Sequence, residues 1–272
     1  MKIDTPTYTF TSGTLPLLIS MPHLGTHIPA PLQTGMADVA GIRQDTDWHL
    51  DRLYAFAREM GASIIQAKVS RYVIDLNRPP NGESLYPGQT TTSLCPMDTF
   101  RGEPLYLPGH VPDDAEQARR LETYWRPYHE QIRTELDRLK ALHGAVMLWD
   151  AHSIASVLPR LFEGRLPDLN FGTADGRSCD PAILSAVVDV ARTGPYTHVV
   201  NGRFKGGYIT RHYGQPSDGI HAIQLEMSQR LYMQEDAPFS YEPDVAGQVQ
   251  PLLEAMLRAG LAQLSVTRAG AV

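Results

Sequence analysis

The 272-residue chain has only two cysteines, Cys95 and Cys179, and neither belongs to a Cys-x-x-Cys pair. At most one disulfide can form, and we expect two free thiols in a reducing cytoplasm instead. No window of about 18 consecutive apolar residues occurs, which excludes a transmembrane helix. The first ten residues lack the apolar stretch of a signal peptide. The sequence therefore predicts a cytoplasmic protein without a membrane partner.

The chain also lacks a long run of basic residues. It contains 24 Lys and Arg residues and 30 Asp and Glu residues. The net charge of −6 argues against nucleic acid as a partner. Several motifs are also missing: the Walker A loop, a strand-linked G-x-G-x-x-G, the G-x-S-x-G elbow and the H-E-x-x-H helix. We expect a small-molecule partner, and a monomer or small homo-oligomer.

Apolar runs and helical patterns alternate along the chain. The runs predict strands at residues 15–21, 62–69, 72–76, 145–149, 196–201 and 220–227. Helices are predicted at residues 45–60, 115–142 (with a kink at Pro127), 181–193 and 244–264. The Gly- and Pro-rich segments 77–107, 155–179 and 205–219 are predicted to be loops. This order predicts an α/β fold, a single domain over residues 1–272 with a mixed, mostly parallel β-sheet flanked by helices. Two small domains are the alternative.

Two histidines directly follow short apolar strands. His23 comes after residues 15–21, and His152 comes after residues 145–149, with Asp150 placed to orient its ring. In open α/β sheets, sites assemble at the ends of strands. One such histidine is often only a hydrogen-bonded, half-buried residue, but two together favour a metal site. Catalytic zinc takes three protein ligands, often two histidines and a carboxylate, and leaves one position for water.

The segment DTDWHLD, at the start of the predicted helix 45–60, offers the third ligand. Asp45 suits helix capping, because carboxylates are favoured at a helix N-terminus. Asp47 is not needed for capping, so we take it as the carboxylate ligand, with Asp45 and His49 as alternatives. We expect one zinc ion, although cobalt or manganese would also suit such a site.

Glu226 lies in the otherwise largely apolar strand 220–227. A carboxylate buried there is costly unless it is paired or functional. One interpretation is a structural salt bridge to Arg211 or Arg230. The interpretation that we favour is a general base, which deprotonates the attacking water and then protonates the leaving amine.

Basic residues gather in two loop segments of this acidic protein. Arg71, Asn77 and Arg78 lie in SRYVIDLNRPP, and Arg203, Lys205 and Arg211 lie in NGRFKGGYITRHYG. Arginine binds carboxylates through a two-pronged fork that lysine cannot copy. The presence of a single arginine in these loops would be explained by an ion pair with Asp75 or Glu83. Several beside a metal predict a substrate that carries carboxylate groups.

Over nearly its whole length the sequence resembles the N-formylglutamate amidohydrolase family. The segments that carry the resemblance are MPHLGTHIP, DTDWHLDRLY, SRYVIDLNRPP, LYPGQTTTSLCP, YWRPYHEQI, LWDAHSI, PRLFEGRLPDLNFGT, NGRFKGGYITRHYG and IQLEMSQRLYM. The resemblance implies zinc-dependent hydrolysis of N-formyl-L-glutamate to L-glutamate and formate, the final step of one histidine-degradation route. The family is distantly similar to zinc carboxypeptidases and aspartoacylases, which implies a zinc-exopeptidase-like (phosphorylase/hydrolase-like) fold.

The same resemblance implies roles for individual residues. It implies that His23 and His152 are zinc ligands and that Glu226 is the base. It makes Arg71 a substrate or oxyanion contact, and it makes Asn77 and Arg78 binders of the substrate carboxylates.

In one respect the chain departs from the related peptidases. They carry a glutamate three residues after the first histidine, where this chain has Thr26, so the carboxylate ligand must come from elsewhere. One alternative function is a metallohydrolase of the aspartoacylase or carboxypeptidase type, acting on another acidic N-acyl amino acid or on a C-terminal peptide bond. Another is a non-catalytic binding protein for an acidic metabolite.

Overall fold

The computed structural model describes residues 6–83 and 92–269 of the chain. Within this part, seven strands form one sheet: β1 (Tyr8–Thr11), β2 (Leu17–Met21), β3 (Ser63–Ala67), β4 (Val146–Ile154), β5 (Leu169–Gly172), β6 (His198–Val200) and β7 (Ile220–Ser228). Their order is β1-β3-β2-β4-β7-β5-β6. Only β1 with β3 and β5 with β7 pair antiparallel among the strands described. The expected mixed, mostly parallel sheet is confirmed.

Helices flank the sheet, and they vary widely in length. They are α1 (Ala30–Gln33), α2 (Asp38–Ile42), α3 (Leu50–Leu53), α4 (Ala55–Met60), α5 (Asp114–Arg120), α6 (Arg126–His143), α7 (Pro181–Ala191), α8 (Tyr208–Tyr213) and α9 (Pro243–Ala269). A π turn at Leu121–Trp125 joins α5 to α6, and Pro127, which has no N–H to donate, follows two residues after the turn. None of the helices in the described residues is long and apolar enough to cross a membrane.

The central strands β2, β4 and β7 are buried along their whole length. Parallel strands that are covered on both faces are typically apolar without alternation, which is why these three were recognisable as apolar runs. In β4, Met147 and Trp149 pack on the side of α7 and α9, whereas Val146 and Leu148 pack on the side of α6. Any polar side chain within these strands is therefore buried.

The helix predicted over residues 45–60 is wrong in its first part. The helix begins only at Leu50, because His49 adopts a left-handed conformation with φ of 62°. The helix is interrupted again at Tyr54 between α3 and α4, and Gly61, which is also left-handed (φ 94°), follows the end of α4 at Met60. Asp45 and Asp47 therefore lie in a turn before the helix.

The strand predicted at residues 72–76 is also wrong. The chain turns there: the N–H of Val73 donates to the Ser70 carbonyl (2.9 Å), and the N–H of Asp75 donates to the Leu94 carbonyl (2.7 Å). The apolar residues of this run are buried without pairing in the sheet. The turn brings Arg71, Asp75 and Asn77 to one region of the molecule.

Two predicted loops contain regular structure. Segment 155–179 includes β5, and segment 205–219 includes α8. Strand β4 is longer than the predicted 145–149, since it continues through His152 to Ile154. Part of the predicted loop 77–107 lies outside the described residues. The extension of β4 matters most, because it pairs His152 with Glu226 of β7.

Candidate active site

Three buried side chains, predicted above as metal ligands, converge at one point. His23 follows β2, Asp47 lies in the turn before α3, and His152 lies in β4. Nδ1 of His152 is 3.1 Å from Nδ1 of His23 and 3.2 Å from Oδ2 of Asp47. The third side of this triangle, from His23 Nδ1 to Asp47 Oδ2, measures 3.8 Å.

The triangle fits one divalent metal ion. Tetrahedral zinc, with bonds of about 2.1 Å, holds its ligand atoms about 3.4 Å from one another. Two imidazole nitrogens and a carboxylate oxygen form a donor set that zinc and similar ions accept. The rival ligands take other partners: Asp45 Oδ2 accepts from the N–H of Phe100 (2.8 Å), and His49 Nε2 contacts the carbonyl oxygen of Phe239 (2.7 Å).

A carboxylate lies behind each histidine, on the side of the ring away from the triangle. His23 Nε2 is 2.7 Å from Asp75 Oδ1, and His152 Nε2 is 3.1 Å from Asp150 Oδ2. His23 Nε2 donates to Asp75, which leaves the Nδ1 lone pair of this ring directed into the triangle, while the Asp150 carboxylate faces Nε2 of His152. Burial disfavours the charged ring of His152, but Asp150 and Asp47 outweigh it and raise the pKa of His152 well above its ordinary value.

Asp75 also pairs with Arg71. The role of Asp75 beside His23 was not predicted from the sequence. Arg71 Nη2 donates to Asp75 Oδ2 at 2.8 Å, and both side chains are buried. Burial alone would raise the pKa of Asp75, but His23 and Arg71 hold it well below its usual range. The signal that could have found Asp75 is the one that singled out Glu226, a carboxylate in an apolar run.

Asn77 contacts the second histidine and its carboxylate. Its Nδ2 donates to Asp150 Oδ2 (3.1 Å) and is 2.9 Å from His152 Nε2, while its Oδ1 accepts from the N–H of Ile209 (2.8 Å). The amide thus ties α8 to the Asp150–His152 pair. Its predicted role as a binder of substrate carboxylates stays a prediction.

Glu226 lies in β7, directly opposite His152 in the neighbouring strand. It is 8% exposed, and burial raises its pKa to about 8. The two arginines considered as salt-bridge partners make other contacts: Arg230 pairs with Asp168, and Arg211 Nε donates to the Gly206 carbonyl at 2.8 Å. A carboxyl group with this pKa can give and take a proton near neutral pH.

Several of these groups border one cavity. Its lining comprises His23, Arg71, Asn77, Arg78, Thr92, Phe100, His152, Ser153, Ile154, Leu161, Arg203, Phe204, Gly207, Gln224 and Glu226. Arg78 donates from Nε and Nη2 to Thr92, and Arg203 donates from Nε to the Leu161 carbonyl. Arg211 lies outside this lining. The cavity therefore combines three guanidinium groups with two of the three candidate metal ligands, His23 and His152, and with a titratable carboxyl group.

Sequence comparison assigns the chain. A model of the N-formylglutamate amidohydrolase family matches residues 15–233. The chain belongs to this family. Two bacterial relatives named N-formylglutamate deformylase, from Pseudomonas putida and Pseudomonas aeruginosa, are each 51% identical to it over 254 residues. Each alignment spans 93% of this chain and 95% of the relative.

Solved structures agree with the family. The crystal structure of an N-formylglutamate amidohydrolase from Ralstonia eutropha JMP134 matches with a TM-score of 0.79 and 25% identity, over 98% of this chain and all of that one. A gene product of Agrobacterium tumefaciens matches with a TM-score of 0.71 and 20% identity, over 94% and 95% of the two chains, and shows a shared fold. The protein is an amidohydrolase.

Proposed function

We propose that the protein hydrolyses N-formyl-L-glutamate to formate and L-glutamate with one zinc ion, in the cytoplasm, as the final step of histidine degradation. The observation that carries this proposal is the buried His23–Asp47–His152 triangle, with Glu226 opposite His152 in the sheet. Family membership supplies the reaction class. The arginines of the cavity account for the anionic substrate.

The charge of the cavity suits the glutamate end of the substrate. Two carboxylates require cationic partners, and Arg78 and Arg203 line the cavity together with Arg71. A guanidinium carries five N–H donors, so Arg78 can hold Thr92 and still donate to a ligand. We assign Arg78 and Arg203 to the carboxylates. Arg211, outside the lining, supports the loop through its bond to Gly206.

His23, Asp47 and His152 would hold a divalent metal, which would supply Lewis acidity to polarise the formyl carbonyl and to lower the pKa of water. Glu226 takes a proton from the attacking water while the oxygen of that water forms a bond to the formyl carbon. Arg71 lies at the cavity wall and stabilises the negative charge that develops on the formyl oxygen. Glu226 then gives its proton to the amide nitrogen as the C–N bond breaks, so that formate and the amine of glutamate are released.

The direct test is product stoichiometry with N-formyl-L-glutamate. We expect equal amounts of formate and glutamate. The variant Arg203→Met is expected to raise KM, because a substrate carboxylate loses its partner. The matched control is Arg192→Met, which removes an arginine that is 60% exposed and paired with Asp189. No formate with any divalent metal, or preferred cleavage of N-acetyl-L-aspartate or of C-terminal peptide bonds, would contradict the proposal.

A further inference from the structure

A second cavity, of about 220 Å³, adjoins the catalytic cavity. Three residues line both cavities and thus form the wall between them: Phe100, Ser153 and Ile154. Beyond the wall, the second cavity extends past Asp45 and Glu235 to Phe239. The wall lies beside the metal-ligand triangle, since Ser153 and Ile154 directly follow His152 in β4.

The two cavities carry opposite charge. Among the described residues, the charged side chains lining the catalytic cavity, histidines aside, are three arginines and Glu226. The second cavity is instead lined by Asp45, Glu235 and Asp236, with Arg101 as a single cation in the described lining. A substrate carboxylate is attracted to the first cavity and repelled by the second.

This polarity orients the substrate, an argument that rests on the proposed function. The glutamate carboxylates of N-formyl-L-glutamate face Arg78 and Arg203, and the amide lies at the triangle. The acyl end of the substrate then points away from these arginines, toward the wall. At that end, a formyl group carries a hydrogen where an acetyl group carries a methyl.

Phe100 is held in place from several sides. Its N–H donates to Asp45 Oδ2 (2.8 Å), and the preceding carbonyl, of Thr99, accepts from Arg160 Nη1 (2.8 Å). The guanidinium of Arg71 lies 4.5 Å from the centre of its ring. Phe100 is 8% exposed and packs with Ile154 in a small core cluster. A ring fixed in this way cannot yield easily to an extra methyl group.

We propose that Phe100, supported by Ile154, is the residue that determines acyl specificity and limits the enzyme to the formyl group. The ring occupies the space next to the formyl hydrogen and closes off the second cavity. Removal of the ring joins the two cavities. A water-sized group takes roughly 30 Å³, so the joined space accepts a short acyl chain. Because the second cavity is acidic, the chain that it accepts is uncharged.

The experiment compares kcat/KM for N-formyl-, N-acetyl-, N-propionyl- and N-succinyl-L-glutamate in the wild type, Phe100→Ala and Ile154→Ala. In each hydrolysis water adds to the acyl carbon, the C–N bond breaks, and the carboxylic acid and glutamate are released. We expect the acetyl-to-formyl ratio to rise at least about tenfold in both variants, since one methyl is worth about that much. The propionyl-to-formyl ratio is expected to rise together with the acetyl-to-formyl ratio. The succinyl-to-formyl ratio is not expected to rise, because the carboxylate of the succinyl group would enter the acidic cavity.

The control is Phe204→Ala, which removes a ring that packs against the same core cluster but lines only the catalytic cavity and not the second one. It is expected to leave the acetyl-to-formyl ratio unchanged. Thermal unfolding and metal content identify the variants that are folded. Unchanged ratios in both wall variants, with formate released by the wild type, would overturn this inference alone. An equal gain on N-succinyl-L-glutamate would overturn the orientation on which it depends. A wild type that releases no formate would instead refute the proposed function.

Discussion

Replacement of Asp75 by Asn tests whether one buried carboxylate organises both the metal site and Arg71. Asp75 is fully buried and accepts from His23 Nε2 (2.7 Å), Arg71 Nη2 (2.8 Å) and the N–H of Asn77 (2.9 Å). Asn is nearly the same size but has no charge, and its NH2 group faces a donor. The substitution therefore removes the charge while it largely preserves the packing.

The expected losses follow from the burial of the partners. Arg71 is only 5% exposed, and a buried charge that loses its counterion costs about 3–5 kcal/mol of stability. Asp45 and Asp47 still act on Arg71, so we expect the lower end, about 3 kcal/mol. His23 loses the acceptor that fixes its tautomer, and metal affinity should fall about 10- to 100-fold.

The acid side of the stability curve gives an independent check. The pKa of Asp75 in the folded protein lies well below its ordinary value. The carboxylate therefore contributes stability that is present above the unfolded pKa of about 3.9 and is lost as the pH falls toward the folded value. The wild type should lose stability more steeply than Asp75→Asn when acidified below about pH 4.

The assays are urea unfolding and zinc titration against a competing chelator. The control is Asp189→Asn, which breaks a pair that is about 60% exposed on both sides and is worth at most about 1 kcal/mol. If Asp75→Asn matched the wild type in unfolding free energy within about 0.5 kcal/mol, and in zinc affinity within about twofold, the role assigned to Asp75 would be refuted.

Three further predictions concern Glu226 and Asn77. Glu226→Gln should lower kcat by about 10²–10⁴-fold with metal content retained, and an active variant would exclude Glu226 as the base. Because the pKa of Glu226 is raised to about 8 from an unfolded value of about 4.3, the metal-free protein should lose stability as the pH rises between these two values, with little further loss above about pH 8. In urea unfolding, Glu226→Gln should lack this loss. In Gly207→Ala the new Cβ would lie 2.4 Å from Asn77 Nδ2, the atom that contacts Asp150 and His152. Displacement of Asn77 should therefore lower metal affinity in a chelator titration. Gly247→Ala, whose Cβ meets nothing within 4 Å, should match the wild type.

The central strands of the fold could be predicted from the sequence because burial on both faces makes them apolar along their length. The shorter β5, with the sequence LNFG, has no such signal, since its place in the sheet depends on its pairing with β7. The polar residues of β4 concealed its true end. The strand continues through Asp150 and His152 because each finds a buried partner.

The metal-ligand triangle was partly visible in the sequence, since His23 and His152 follow apolar runs. From the sequence, Asp47 is preferred to Asp45 and His49 because Asp45 is expected to cap a helix. That helix begins only at Leu50, and Asp45 Oδ2 instead accepts from the N–H of Phe100. The contacts of Asp75 and Asn77 depend on the turn at residues 71–76, which sequence patterning presents as a strand. Side chains that an irregular turn brings together show no periodic pattern in the sequence.

The most direct test of the account is formate release from N-formyl-L-glutamate by the protein as isolated, after chelation and after zinc is restored. We predict that activity is lost with the metal and recovered with zinc. In His152→Ala we predict that added zinc restores nothing, because a ligand of the triangle is missing. Full activity in the metal-free protein, or in the metal-free His152→Ala variant, would contradict the assignment of this site.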